Sequence, residues 1–204
     1  MVAKPLKSPA DWCSGDVLPP SEKHLDQSDR FRPISDIDAE AIRVIENRGM
    51  RTAMSWEPVT AMLVEIARGR RGYGALRTWF GRMPHASDGD EPNAVARMAG
   101  YVAEGSAPFT ELSGGEARET LAFLAADSLV MPSGAAAPKT AVDCFAKGIE
   151  RLGSQARFFS NGRWHEYIRS SSFGWHGISD ATFDAGVIGL NGEVAFIAWV
   201  EEED

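Results

Sequence analysis

The sequence predicts an α+β protein: a helical layer of about five or six helices, then a four-stranded antiparallel sheet of two Asn-Gly hairpins. Apolar residues recur at helical spacing from about residue 35 to 153, and after Gly153 the apolar period changes to two. The dipeptides Asn161-Gly162 and Asn191-Gly192 each sit between alternating apolar runs. Helices in one run and strands in the next is the element order of α+β folds. Asn-Gly is a strong hairpin signal because both central positions of a type I′ turn need positive φ.

Residues 1–34 read as a proline-rich N-terminal arm, with Pro5, Pro9, Pro19, Pro20 and Pro33 among charged and small residues. Trp12, Val17, Leu18 and Phe31 are its candidate anchors. The remainder, 35–204, reads as one α+β domain with a helical part over 35–153 and a β part over 154–204. Ser35 and Asp38 resemble a capping pair before the stripe Ile37, Ala41, Val44 and Ile45, which Gly49 ends. A helix starts near Glu57-Pro58, carries Val59, Met62, Leu63 and Ile66, and stops at Gly69. After the basic connector Arg68-Gly-Arg-Arg-Gly-Tyr-Gly, a short helix is expected over about Ala75 to Phe80, and another over Asn93 to Glu104. Ser113-Gly-Gly-Glu116 is a capping box for a helix buried through Leu121, Phe123, Leu124 and Leu129. The small-residue linker from Pro132 to Pro138 leads to a helix over Lys139 to Leu152, with Gly153 as its stop.

In the β part, a two-residue Asn191-Gly192 turn pairs Leu190 with Glu193, Val187 with Phe196 and Phe183 with Val200. Both faces of that ribbon are largely apolar, so it belongs in the middle of a sheet covered on two sides. The Asn161-Gly162 turn likewise pairs Phe159 with Trp164 and Arg157 with Glu166.

With 44% hydrophobic and 25% charged residues, the chain has an ordinary globular composition. Its 21 Lys and Arg against 29 Asp and Glu give a formal charge of −8, which disfavours a general nucleic-acid binder and suits a basic protein partner. Cys13 and Cys144 show no metal or disulfide spacing, so no cofactor or metal is expected and a reducing cytoplasm is the default. The N-terminus lacks a signal-peptide apolar run, no segment is long and apolar enough to span a membrane, and a soluble cytoplasmic protein is the expectation.

Catalytic patterns are weak. His165, His176 and Asp184 form the one His/carboxylate set to consider for general acid–base work, as in a small hydrolase-like enzyme. In the expected register His165 and Glu166 face opposite sides, so they do not act together. Arg68, Arg70, Arg71, Arg77 and Arg82, interleaved with Tyr73 and Trp79, read as an internal clamp onto acidic segments in preference to a nucleic-acid contact. The run Glu201-Glu202-Glu203-Asp204 is an anionic cluster delivered to a sheet edge by the final strand.

The ending from Thr182 to Asp204 resembles the C-terminal strands of bacterial immunity proteins that accompany polymorphic or contact-dependent toxins. That resemblance implies a non-enzymatic inhibitor that binds one toxin and covers its active site. The expected contact residues are Glu201, Glu202, Glu203 and Asp204, then the loop Asp88, Asp90 and Glu91. Beside the enzyme, the remaining alternative is an oligomeric structural or regulatory protein joined through the aromatic-rich 158–175 segment. The partner's identity and the oligomeric state are not legible in the sequence.

Overall fold

Apolar residues on both faces of a single ribbon drive it to the middle of a sheet, and the C-terminal segment takes that place. The computed structural model describes residues 55–70, 74–101, 107–169 and 174–204. The arm, the helix expected after Ser35, Cys13, and Arg71 and Tyr73 of the connector lie outside the described residues. β4 (Phe183–Leu190) and β5 (Val194–Glu202) pair antiparallel at the centre, and every residue of β5 is buried. With β1 (Ala75–Arg82), β2 (Thr110–Leu112) and β3 (Arg157–Ser160) around them, the order is β1-β5-β4-β3-β2 and every pairing is antiparallel. Among the described residues the sheet has five strands, where the sequence predicts four.

The central register differs from the expected one by two residues: Leu190 faces Ala195 and Phe183 faces Glu202. The turn is the cause. Only Gly192 has positive φ, at 85°, so a type I′ turn does not form. Asn191 instead folds its side chain back, and its Oδ1 accepts from the amides of Glu193 at 3.1 Å and Val194 at 3.0 Å. This makes a three-residue loop. A slip of two leaves each side chain on its expected face, since strand periodicity is two.

β1 (Ala75–Arg82) replaces the short helix expected there. Leu76 and Phe80 are buried in the core on one side of the sheet, while Trp79 packs against the core on the other, a period-two pattern. Pairing with β5 from Ala75↔Glu201 to Arg82↔Val194 fixes it as a strand. The second expected hairpin is absent. β3 (Arg157–Ser160) pairs with β4 and with β2 (Thr110–Leu112), a strand that periodicity did not indicate. Residues Trp164–Arg169 form a 3₁₀ helix, so Arg157 lies opposite Leu190, not Glu166. Neither Asn161 nor Gly162 has positive φ, and the Asn161 side chain turns inward to Asp184, which removes the hairpin geometry.

Three helices cover one face: α1 (Glu57–Gly69), α3 (Gly114–Ala126) and α4 (Lys139–Arg151). Val59, Met62, Leu63 and Ile66 of α1 meet Phe145 and Ile149 of α4, Leu121 and Leu124 of α3, and Val187, Phe196 and Ala198 of the sheet. The capping box at α3 forms as expected, with Glu116 N donating to Ser113 Oγ at 3.2 Å and Ser113 N to Glu116 Oε2 at 2.7 Å. The opposite face is covered by α2 (Glu91–Met98) with Tyr101, Phe109 and Ile178. α2 ends well before the expected Glu104, because Gly100 turns the chain at φ 88°. Gly186 lies opposite Trp199, and a Cβ there would strike the indole ring and the Ala198 carbonyl, so glycine lets the ring lie across β4. Cys144 is a partly buried free thiol, and burial pushes its pKa up.

Candidate functional site at the open end of the hairpin

Opposite the Asn191 turn, the last residues of β5 and the first of β4 gather most of the buried charge. Side chains alternate across a sheet, so consecutive residues Glu201 and Glu202 face different layers. Glu202, 6% exposed, enters the helical layer. Its carboxylate is paired with the guanidinium of Arg70, and it accepts from Ser128 Oγ at 2.7 Å, Leu129 N at 2.9 Å and Val130 N at 3.3 Å. Arg70 sits just past α1 and also donates to the carbonyls of Leu124, at 3.1 Å, and Asp127. It thereby satisfies acceptors at the C-terminal end of α3, where the helix dipole favours a cation.

Asp127 follows α3 and organises the next loop. It accepts from Ser128 N at 3.0 Å, Ser133 N at 2.9 Å, Ser133 Oγ at 3.0 Å, Gly134 N at 2.7 Å and Ala135 N at 3.1 Å. Burial alone would raise its pKa, but the Ser133, Gly134 and Ser128 donors outweigh it and hold the carboxyl below the ordinary range.

Glu201 and Asp184 are direct cross-strand partners on the other face, with Cβ atoms on the order of 5 Å apart. Asp184 is fully buried and accepts from Asn161 Nδ2 at 2.8 Å, Ile178 N at 2.7 Å and Ser179 N at 2.8 Å. Burial nevertheless raises its pKa. Glu201, 8% exposed, meets Arg77 at 3.3 Å through Oε2, while its Oε1 has no hydrogen-bond partner among the described residues. The Tyr101 hydroxyl and the Trp199 indole N–H lie toward this acid pair, but neither closes a hydrogen bond among the described residues. Burial, then the charge of Glu201, raises the Tyr101 pKa strongly.

The structure divides the expected contact residues. Glu201 and Glu202 are internal and form the clamp with Arg77 and Arg70, which joins the basic connector to the acidic tail. Glu203 and Asp204 are exposed, with Glu203 accepting from Thr182 Oγ1 at 2.7 Å. Asp88 is exposed, Asp90 pairs with Arg97 at 2.7 Å, and Glu91 lies 3.6 Å from Arg157. Arg157 faces Leu190 beside the hairpin turn, so this loop and Glu203 are separated by the length of β4, roughly 25 Å. The two acidic patches do not form one surface.

His165, His176 and Asp184 are not brought together. His165 lies against α3, with Nε2 3.7 Å from Glu116 and 3.5 Å from Glu166, whereas His176 is exposed and forms no ion pair among the described residues. Among the described residues, no group of three His, Cys, Asp or Glu side chains is placed to hold a metal ion. No helix among them is long and apolar enough to cross a membrane.

Sequence reasoning missed Asp127, Asn161 and the partners of Glu202. A signal for Asp127 exists in Asp127-Ser128 followed by Ser133-Gly134, the donors an acidic loop centre needs. No protein-family model matches the chain, and no curated protein or solved structure matches it.

Proposed function

We propose that the protein is a non-enzymatic binding protein of the immunity type, which neutralises a basic toxin domain by covering it in the cytoplasm. The observation that carries this reading is the composition of the hairpin's open end. Arg70 and Arg77 are engaged with Glu202 and Glu201, while Asp180, Glu203 and Asp204 remain exposed without an ion-pair partner among the described residues. On the helical side of the strand end, the loop that binds Glu202 presents Met131 with 78% of its surface exposed. Exposed acids and, on the helical side of the strand end, an exposed flexible apolar side chain give a basic protein both a charged contact and an anchor. The surplus of negative charge steers such a partner, so association slows as salt rises.

The test is co-expression of the full chain with the protein encoded beside its gene. The reading predicts a one-to-one complex and protection from that neighbour's toxicity. Glu203→Lys with Asp204→Lys weakens the complex and flattens its salt dependence, and Met131→Ser raises the dissociation rate by about tenfold, the size of a modest interface anchor. A neighbour that neither binds nor harms the cell overturns the reading.

A further inference from the structure

A second feature lies on the helical layer, away from the hairpin's end. An open cleft of about 430 Å³ runs between α3, the 134–137 loop, the start of α4 and the 3₁₀ helix. Its volume is in the range of small-molecule sites. Ala122, Phe123, Ala137 and Val142 supply apolar walls, and Arg118, Glu119 and His165 supply polar groups. The cleft exists because the facing loop is built of Gly134, Ala135, Ala136 and Ala137, whose side chains are too small to fill it. Its walls are also fixed. Asp127 holds the loop through the amides of Ser133, Gly134 and Ala135, and Phe123 is stacked on Trp164 at 6.3 Å. A cleft that keeps its shape when empty spares a ligand the ordering cost of binding.

The charges select the ligand. Arg118 is exposed and forms no ion pair among the described residues. Of the acids around it, Glu116 caps α3 and meets Arg163 at 2.6 Å, Glu119 on the cleft wall has a partner of its own, and Glu166 lies 3.5 Å from His165 Nε2. His165, with its side chain only 7% exposed, lines the cleft and has no hydrogen-bond partner at Nδ1 among the described residues. We infer that this cleft binds a small carboxylate carried on an apolar body, with the carboxylate on Arg118 and the apolar part against Phe123, Ala137 and Val142. A guanidinium fork at the mouth of an apolar slot matches such a molecule in both shape and charge. The inference is independent of the toxin-binding reading, which concerns another surface.

Titration of the isotope-labelled full chain with octanoate, and separately with octylammonium, followed by amide shifts, tests this. Saturable shifts at Arg118, Ala122, Ala136 and His165 are expected, with octanoate at least about fivefold tighter than octylammonium, the size of one exposed ion pair. Arg118→Gln removes that preference. Ala136→Trp, at an exposed position that tolerates a large side chain, fills the cleft and abolishes the shifts. Absence of saturable binding, equal affinity for the two probes, or binding that survives Ala136→Trp overturns the assignment.

Discussion

Glu201 and Glu202 are neighbours in the chain and opposites in environment. Glu202 enters a pocket made for an anion: a guanidinium, a hydroxyl and two loop amides meet it. Glu201 enters a face where a second carboxylate, Asp184, is its cross-strand partner and the cation it meets, Arg77, is partly exposed. Both acids are buried, so burial alone says little about what each contributes. The number and geometry of donors decide it. One face of the hairpin is tied down by its acid, and the other tolerates a polar cluster that is incompletely satisfied.

The largest effect expected from this contrast is on stability. Removing Glu202 leaves Arg70 buried without its carboxylate, so Glu202→Ala destabilises by about 3–5 kcal/mol in urea unfolding. Glu201→Gln costs less than about 1 kcal/mol, because it removes a charge facing Asp184 and leaves Arg77 room to reach water. Equal losses would erase the distinction between the two faces.

The pH dependence sharpens the contrast, because two buried acids shift in opposite directions. The folded-state pKa of Asp127 lies below the ordinary 3.8, so its contribution is present above that value and is lost as pH falls through the folded one. Asp127→Asn therefore lowers stability at neutral pH and narrows the gap to wild type in acid. The folded-state pKa of Asp184 lies above 3.8, so its contribution is full below that value and is lost as pH rises through the folded one. In Asp184→Asn that decline disappears. Urea titrations from about pH 3 to about pH 8 check both signs, and parallel profiles in the two variants would contradict the assignment.

Much of this architecture was legible because it follows from periodicity and capping. The stripe Val59, Met62, Leu63 and Ile66, the Ser113–Glu116 box and the ribbon ending at Val200 each carry a local signal that tertiary packing reinforces. Ala75 to Phe80 reads as helix in the sequence because so short a stretch presents too few apolar positions to separate the two periods. Asn161-Gly162 misled for another reason: the amide of Asn161 is recruited by Asp184, some twenty residues away, and a local rule cannot see a distant acceptor. The same distance hid the Arg70–Glu202 pair. The charges of connector and tail pointed to a clamp, but the choice of Glu202 for the helical layer depends on strand parity at the sheet's end. The cleft beside His165 was visible only as a small-residue linker, since a cleft is a property of what neighbouring segments fail to fill.

Native-state hydrogen exchange at the amides of Leu129 and Val130 tests the central claim most directly. If Glu202 anchors this loop to the sheet, both protons exchange as slowly as those of β5, and Glu202→Ala releases them while β5 stays protected. Exchange at the rate of an exposed turn in the unmodified protein would show that the hairpin's acid end is not held inside.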